Sequence, residues 1–416
     1  MNTPAQPAVY IAGIGMTPTG KFLDRSIKQL TADAVAAALA DAGLAAADIQ
    51  AAFYSNTTQG VLEGQTMVRG QVALRSMGLE GIPVYNLENA CASASSAFNL
   101  AVQAVRAGEV EVALAVGAEK MFCTDKAKMF SVFDGAWDVH EVDANKAVLL
   151  AMGRGIEPPA GSTSKSPYSL FMDIYAAFGR FHMREFGTTQ RQFAAVAAKN
   201  HGHSVHNPLA QYRTAYTVDE ILAAPPITYP LTLPMCAPIS DGAAAALVCS
   251  EAALARLADR RRAIRVLASV VATGSTRRPE DVAGHVTVKA SKLAYERAGV
   301  GPQDISLAEV HDATAIGEIV QSENLGFCEF GAGGALAESG ATTIGGRIPI
   351  NTSGGLESKG HPIGATGLGQ LHELATQLRG EAGARQVQGA RLAIAENGGG
   401  LYGIEEAVCA ITILGR

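Results

Sequence analysis

One cysteine stands where thiol chemistry is possible. Cys91 lies in a run of small residues, Asn89–Ser96, between a predicted strand at Pro83–Leu87 and a predicted helix at Ala92–Arg106. Unpaired N–H groups and the positive end of the dipole at a helix N-terminus favour a thiolate and lower the thiol pKa. The alternative is a buried, inert cysteine, the commonest fate of a free thiol. Position alone leaves both interpretations open.

A glycine-rich run near the C-terminus contains a candidate base for this thiol. His361 stands between Gly360 and Pro362, within the segment Asn351–Gly367. Residues 351–403 hold 13 of the 45 glycines, more than their proportional share. Glycine lets the backbone approach a ligand closely. An imidazole in this rigid frame can act as a general base toward a thiol.

Two strand ends carry further polar groups. His311 follows a predicted strand at Ile305–Ala308, and ligands bind at such strand ends in α/β folds. His311 is therefore a candidate donor to a carbonyl oxygen that becomes an oxyanion. The run Glu396–Gly400 follows a predicted strand at Arg391–Ala395. Backbone N–H groups without hydrogen-bond partners at a turn there would complete an oxyanion hole.

The elements that must position these residues alternate between strand and helix. The predicted N-terminal series is Val9–Ile14, Leu30–Ala42, Asp48–Tyr54, Pro83–Leu87, Ala92–Arg106 and Val110–Val116. Such alternation predicts an α/β fold whose sheet is buried on both faces. From Thr124 to about Pro238 the chain is aromatic and polar, with one or two clear helices, notably Thr189–His201. It returns through a strand at Asp241–Ser250.

The pattern of the first half recurs in the second. Gly43 and Gly299, each ending a predicted helix, differ by 256 in position, as do Asp48 and Asp304. Both copies predict a helix, a left-handed glycine cap, a loop and a strand. We predict a duplicated α/β unit. Its N-terminal half would span 1–123 plus 239–262 and its C-terminal half 263–416, with an inserted domain at 124–238.

Composition excludes several classes of protein. The chain has 416 residues, 48% apolar and 17% charged, and a net charge of −6. These values predict a folded protein without nucleic acid as its main partner. Six cysteines are too few for a disulfide framework. No secretory signal and no membrane-spanning apolar run is recognisable, so we expect a cytoplasmic protein without a membrane partner.

Together these motifs resemble the thiolase superfamily, particularly the sterol-carrier-protein-type thiolases, over nearly the whole chain. Cys91 matches the family's nucleophile, Asn351–Gly367 its most specific signature, and His311-Asp312 the start of a subgroup motif. The resemblance implies the thiolase fold, with duplicated βαβαβαββ halves, five αβαβα layers and an inserted loop domain. It also implies acyl-CoA and CoA as substrates, no bound cofactor or metal, and at least a homodimer.

The chain departs from this family at the second catalytic cysteine. Glu396 occupies the position of that cysteine in classical thiolases, and Ala313 occupies the corresponding subgroup position. The chain therefore looks closest to the type with one Cys and two His. That type resembles archaeal acetoacetyl-CoA thiolases and the benzoylsuccinyl-CoA thiolases of anaerobic toluene degradation. Those enzymes associate with a small zinc-ribbon/OB-fold subunit, which is a possible partner here.

The resemblance implies a ping-pong acyl transfer on a 3-oxoacyl-CoA through an acyl-Cys91 intermediate, or the reverse Claisen condensation. His361 would take the thiol proton, and the N–H groups of Cys91 and Gly398 would hold the oxyanion. His311 and His361 would steady the enolate, which His361 or, with less support, Glu396 would reprotonate. The expected substrate and CoA contacts are Ser353, Gly354, Met172 and Asn397.

Other functions stay open at this point. The missing second cysteine is also compatible with a degenerate binding subunit of a hetero-oligomer. Acyl transfer to a non-CoA acceptor, or aldolase-like cleavage, is a further alternative. His201, His203 and His206 suggest a metal site, but no Cys or carboxylate lies nearby in the sequence, so we predict no metal.

Overall fold

The structure is a computed structural model that describes residues 7–257 and 259–416; the first six residues of the predicted N-terminal half lie outside it. The strands are β1 (Val9–Met16), β2 (Ala51–Ser55), β3 (Val84–Leu87), β4 (Val112–Glu119), β5 (Pro226–Thr228), β6 (Leu231–Thr232), β7 (Gly242–Ser250), β8 (Ile264–Thr273), β9 (Leu307–Glu309), β10 (Leu392–Gly399) and β11 (Val408–Gly415). The helices are α1 (Ile27–Ala42), α2 (Gln59–Glu63), α3 (Arg69–Arg75), α4 (Ser93–Arg106), α5 (Lys126–Ser131), α6 (Val142–Ala151), α7 (Leu170–Phe186), α8 (Gln190–Ser204), α9 (Val218–Ala223), α10 (Glu251–Leu254), α11 (Val286–Ala298), α12 (Ala315–Asn324), α13 (Gly333–Glu338) and α14 (Thr366–Arg379).

The strand order repeats itself about a central seam. Nine strands follow the order β3-β2-β4-β7-β1-β8-β11-β10-β9. At the seam, β1 and β8 pair only through Tyr10 with Arg265 and Ile11 with Ile264. The backbone at Ile350 forms a parallel β-bridge with Ala308, so this segment lies beside β9 as β3 lies beside β2. Each half therefore has five strand positions in the same order, and the predicted duplicated thiolase fold is confirmed.

Five layers follow from where the apolar residues are buried. One cluster packs α1 on the outer face of the first half-sheet, and another packs α11 on the outer face of the second. The largest cluster joins α4 and α14 to strands of both halves. Because α4 and α14 lie between the half-sheets, their first turns meet at the centre of the molecule.

The two halves have the same backbone conformation at corresponding residues. Gly43 ends α1 with φ 66° and Gly299 ends α11 with φ 69°. Each is followed by a short 3-10 turn, Ala46–Asp48 or Pro302–Asp304, and then by β2 or β9. The left-handed conformation requires glycine at both caps. The exact division at 1–123, 124–238, 239–262 and 263–416 stays a prediction.

The segment between β4 and β7 contains α5–α9 and the ribbon β5–β6. Its helix α8 packs on α12 and α13 of the second half, and α7 packs on α12. Trp137 stacks on Phe171 with ring centroids 5.0 Å apart, in an apolar cluster that includes Leu401 of the second half. This inserted segment therefore covers the strand ends at which the candidate residues lie.

One sequence prediction about local structure is wrong. The strand expected at Arg391–Ala395 continues to Gly399, and Glu396–Gly399 pair with β11 instead of forming a turn. The small residues permit the extended pairing, and the turn begins at Gly400, with φ 62°. Within residues 7–257 and 259–416, no helix is long and apolar enough to cross a bilayer.

Candidate active site

Cys91 lies in the short connection between β3 and α4, as predicted. The hydroxyl of Ser93 accepts the N–H of Asn89 at 2.8 Å and donates to the carbonyl of Ala90 at 2.6 Å. Ala90 has a φ of 47°, in the left-handed region that side chains rarely adopt. Its strained backbone is held by these bonds. The N–H groups of Cys91 and Gly400 face the sulfur.

The predicted lowering of the thiol pKa is wrong. Burial raises the pKa of Cys91 to about 12, and the charges of Glu88 and Glu119 add to the effect. The two backbone N–H groups at the sulfur act in the opposite direction but are outweighed. Desolvation of a thiolate therefore dominates over the helix N-terminus. The resting side chain of Cys91 is therefore a neutral thiol, which would need a base within reach to become a thiolate.

His361 is held in the tautomer that such a base requires. Its Nδ1 lies 2.6 Å from Oγ1 of Thr366, and this hydroxyl donates to the carbonyl of Pro362 at 3.0 Å. The hydroxyl oxygen must then accept Nδ1–H, which leaves Nε2 bare. Burial lowers the pKa of His361 well below its usual value, and His311 and Lys359 lower it further. The imidazole is neutral and ready to accept a proton.

His311 is held in the opposite tautomer. Nδ2 of Asn397 lies 3.0 Å from Nδ1 of His311, and Ser95 donates to Oδ1 of Asn397 at 2.9 Å. The Ser95 bond orients the amide so that its N–H₂ group faces the ring. Nδ1 of His311 therefore accepts, and Nε2 carries the proton. Burial lowers the pKa of His311 to about 4, so a neutral ring presents one N–H donor.

The structure brings Cys91, His311 and His361 together. The two rings are 5.2 Å apart and nearly perpendicular, at 83°. The sulfur and one nitrogen of each ring lie within 4.8 Å of one another. A thiolate and two imidazoles also form a donor set that zinc accepts. His201 and His203, by contrast, bond to the carbonyls of Pro234 and Asn351.

A cavity of about 180 Å³ begins at these three residues. Its apolar walls include the inserted segment's aromatic side chains Phe133, Phe171, Tyr175, Phe178, Phe181 and Phe186. A polar wall lies farther along, at His285, Gln321 and Glu406. The cavity therefore offers an acyl group a largely apolar volume with one polar side.

Only some of the predicted contact residues lie at the cavity formed by the described residues. Met172 and Gly398 line the cavity. Ser353 is buried and donates to Glu309 at 2.6 Å, and a Cβ at Gly354 would lie 2.5 Å from Cβ of Ser204. These contacts place Ser353 and Gly354 in the packing of the loop, outside the cavity wall formed by the described residues. Asn397 contacts Nδ1 of His311 and is likewise outside the cavity wall formed by the described residues.

Glu396 is also outside that cavity wall. Its Oε2 accepts the backbone N–H of His311 at 2.9 Å, and its Oε1 lies 3.9 Å from the sulfur of Cys409. Burial raises the pKa of Glu396 well above its usual value, and Glu406 raises it further. The side chain fixes the backbone that carries His311.

Gly398 directs its N–H toward the cavity because β10 is longer than β9. The N–H of Ser306 donates to the carbonyl of Leu392 at 2.8 Å, so alternate residues from Leu392 onward face β9. The β9 pairing ends at Glu309, opposite Ala395. Gly398 faces the same side beyond that end and remains a candidate oxyanion donor, together with Gly400.

Sequence reasoning missed the groups that orient the histidines. Ser95 and Thr366 both lie inside motifs that were recognised, but their hydroxyls carried no separate signal. Glu119 was also missed: its Oε2 accepts the N–H of Gly364 at 2.9 Å, and its Oε1 accepts Nδ2 of Asn56 at 2.8 Å. This carboxylate joins the signature loop of the second half to the first half.

The fold and this site define the thiolase class. Residues 9–221 match the family model described as Thiolase, N-terminal domain, and residues 268–415 match Thiolase C-terminal domain-like. These ranges cover most of the chain, which therefore belongs to the thiolase family, a family of acyltransferases.

Curated relatives include the predicted subtypes. Acetyl-CoA acetyltransferase of Methanothermobacter thermautotrophicus is 36% identical over 396 residues, 95% of this chain and 97% of the relative. Benzoylsuccinyl-CoA thiolase subunit BbsB of Thauera aromatica is 31% identical over 389 residues, 91% of each chain. Sterol carrier protein 2 of Rattus norvegicus is 36% identical over 95% of this chain and 71% of its own length. The predicted resemblance is confirmed.

Solved structures agree with the fold. An Ltp2-ChsH2(DUF35) aldolase superposes with a TM-score of 0.77 at 24% identity, covering 99% of this chain and 98% of that chain. Human mitochondrial 3-ketoacyl-CoA thiolase superposes with a TM-score of 0.67 at 17% identity, covering 99% of each. At such identities the likeness supports the fold alone.

Proposed function

We propose that the protein is a thiolase that transfers an acyl group between a 3-oxoacyl-CoA and CoA through Cys91. The observation that carries the proposal is the pair of opposite tautomers around the sulfur. His361 has a bare Nε2 and His311 an Nε2–H, and one nitrogen of each ring lies within 4.8 Å of the thiol sulfur. One ring can therefore take the thiol proton while the other donates to a developing oxyanion.

The proposed steps use these groups in order. Nε2 of His361 takes the proton of Cys91, and the thiolate attacks the 3-oxo carbon. The oxyanion accepts from the N–H groups of Cys91 and Gly398, with Gly400 as a second candidate. The bond between C2 and C3 breaks, and His311 donates to the enolate oxygen of the shorter thioester. CoA then takes the acyl group from Cys91, and the reverse sequence is a Claisen condensation.

The cavity supports an apolar acyl group as the substrate class. Its aromatic side chains lie on the inserted segment, which also contributes Met172 to the wall. We propose that the pantetheine arm passes Met172 and that the acyl group lies against Tyr175 and Phe178. No bound cofactor is required by these steps, since CoA enters and leaves as a substrate.

Mass spectrometry of the intact protein with acetoacetyl-CoA tests the proposal. We expect an acetyl adduct on Cys91 that disappears when free CoA is added. Cys91→Ser should form no adduct, and His361→Asn should form it much more slowly. Release of acetyl-CoA from a 3-hydroxyacyl-CoA, without any adduct on Cys91, would instead favour aldolase-like cleavage. A folded wild type that neither forms an adduct nor cleaves the substrate would favour a binding subunit.

Two assembly proposals accompany this function. The edge strand β3 carries Tyr85, which is 53% exposed, and an open edge strand is normally covered. This edge supports the proposed homodimer. The OB-fold partner subunit stays a proposal carried by the resemblance, and purification from the native host tests it: a small protein should co-purify in constant ratio.

A further inference from the structure

The proposed thiolase cycle needs a group that handles the proton on the substrate's α-carbon. The second cysteine that serves classical members of the resembled family is absent here. We propose that Glu406 is this acid–base group. The assignment rests on the proposed function and names a catalytic residue for it.

Glu406 reaches the cavity beside the oxyanion donors. A Cβ placed on Gly398 would lie 2.6 Å from Cγ of Glu406 and 3.3 Å from its Oε1. The absence of a side chain at Gly398 thus makes room for the carboxylate. Glu406 lines the same cavity as Cys91 and His311. A substrate that spans this cavity would contact the sulfur of Cys91 and, beside Gly398, this carboxyl group.

The carboxyl group of Glu406 accepts one hydrogen bond and lies beside a histidine ring. Its Oε1 accepts Nε2 of Gln321 at 2.9 Å. Nδ1 of His285 accepts the backbone N–H of Thr287 at 3.2 Å, so the ring proton lies on Nε2, 3.3 Å from Oε2 of Glu406. Gln321 therefore orients the carboxyl group, and the ring of His285 lies beside its second oxygen.

One oxygen of Glu406 remains available. Among the described residues, Oε2 is buried and has no hydrogen-bond partner, because His285 is near but not aligned with it. A buried acceptor without a partner is costly in a native protein and calls for an explanation. An acceptor that meets a substrate C–H or a CoA thiol explains it.

The neighbouring carboxyl group of Glu396 fits the task less well. Its Oε2 accepts the N–H of His311, and its Oε1 faces Cys409. No atom of it lines the cavity formed by the described residues. Glu405, the residue before Glu406, is held by Arg277 and by the N–H of Ser275.

The proton balance closes in both directions. In condensation, Glu406 takes the α-proton, the C–H electron pair forms the enolate, and the enolate carbon bonds to the acyl carbon on Cys91. The bond between this carbon and the sulfur breaks, and the thiolate receives the proton from Glu406 through His361. In cleavage the same steps run backwards, so Glu406 returns the proton to the α-carbon.

Two measurements with acetyl-CoA separate this inference from the proposed function. Acetyl transfer to Cys91, followed by mass spectrometry, requires no α-proton chemistry. Exchange of the acetyl protons with deuterium from D₂O, followed by NMR, requires the acid–base group. Glu406→Gln preserves side-chain size and should acetylate normally but exchange about 10²- to 10⁴-fold more slowly. Glu406→Asp should recover part of the exchange.

Glu396→Gln is the matched control, because its amide oxygen can still accept the N–H of His311. Its ratio of exchange to acetylation should match that of the wild type, whereas this ratio should fall in Glu406→Gln. Exchange by Glu406→Gln at the wild-type rate would overturn the assignment, as would loss of exchange only in Glu396→Gln. Acetylation of wild-type Cys91 without any exchange would also overturn it. A wild type that is never acetylated would contradict the proposed function itself.

Discussion

Nδ2 of Asn397 lies 3.0 Å from Nδ1 of His311, while Nδ1 of His361 lies 2.6 Å from Oγ1 of Thr366. The Asn397 amide donates to the ring of His311, and the Thr366 hydroxyl accepts from the ring of His361. Two histidines 5.2 Å apart therefore point different groups at one sulfur, a proton donor and a proton acceptor. The proposed acid and base roles follow from the contacts of Asn397 and Thr366 with the rings, since both rings are buried and neutral.

Replacement of Asn397 by Asp should reverse the tautomer of His311. A carboxylate accepts only, so Nδ1 would have to carry the proton and Nε2 would become bare. Loss of one oxyanion donor typically lowers kcat by about 10²- to 10³-fold. Steady-state kinetics gives the loss, and NMR of isotopically labelled histidine gives the tautomer. An unchanged tautomer together with unchanged kcat would show that Asn397 does not position His311.

Thr366→Val should impair His361 as a base. Valine has a similar shape but cannot accept Nδ1–H, so the ring loses the contact that keeps Nε2 bare. We expect acylation of Cys91 to slow by roughly 10- to 100-fold, within the range for general-base catalysis. Rapid-quench measurement of acyl-Cys91 formation tests this. Thr366→Ser retains the hydroxyl and should acylate close to the wild-type rate; equal slowing in both variants would indicate a packing effect.

Sequence patterns located Cys91, His311 and His361 because each lies inside a contiguous motif. They also located the duplication, because the caps at Gly43 and Gly299 are local features. The thiol pKa could not be predicted, since burial of Cys91 sums over distant elements that the local pattern does not contain. Glu406 was missed for a related reason: its role depends on the room left by Gly398 and on Gln321, 85 residues away.

The raised pKa of Cys91 predicts how its alkylation depends on pH. A thiol with a pKa of about 12 stays protonated through the neutral range. Because only the thiolate reacts, the rate with iodoacetamide should rise about tenfold per pH unit up to about pH 10, without a plateau. Peptide mass spectrometry separates Cys91 from the other five thiols. A plateau near neutral pH would show a stable thiolate–imidazolium pair and contradict the prediction.

Gly399→Ala should displace the loop that carries the nucleophile. An added Cβ would lie 2.3 Å from the carbonyl oxygen of Asn89 and 2.6 Å from the nitrogen of Ala92. Because backbone must shift, we expect about 1–3 kcal/mol lower stability and a large loss of kcat. Gly369→Ala, within α14, would place its Cβ 3.5 Å from Met16 and 3.8 Å from Nζ of Lys359, and it should be neutral or gain up to about 1 kcal/mol. Urea unfolding and turnover of both variants test the difference.

Glu357→Gln should stabilise the protein increasingly as the pH rises. Burial, together with Asp312 and Glu318, raises the pKa of Glu357 well above its usual value. Between the pKa of an unfolded glutamate, about 4.3, and the folded value, the native state binds the extra proton, so its stability falls as pH rises. Gln avoids this loss and can still accept Nδ2 of Asn200. The Tm difference from wild type should widen between about pH 5 and pH 8 by up to the equivalent of about 1.4 kcal/mol per unit. The exposed Glu80→Gln should give a parallel curve, and a parallel curve for Glu357→Gln would show that this carboxyl group is charged in the folded protein.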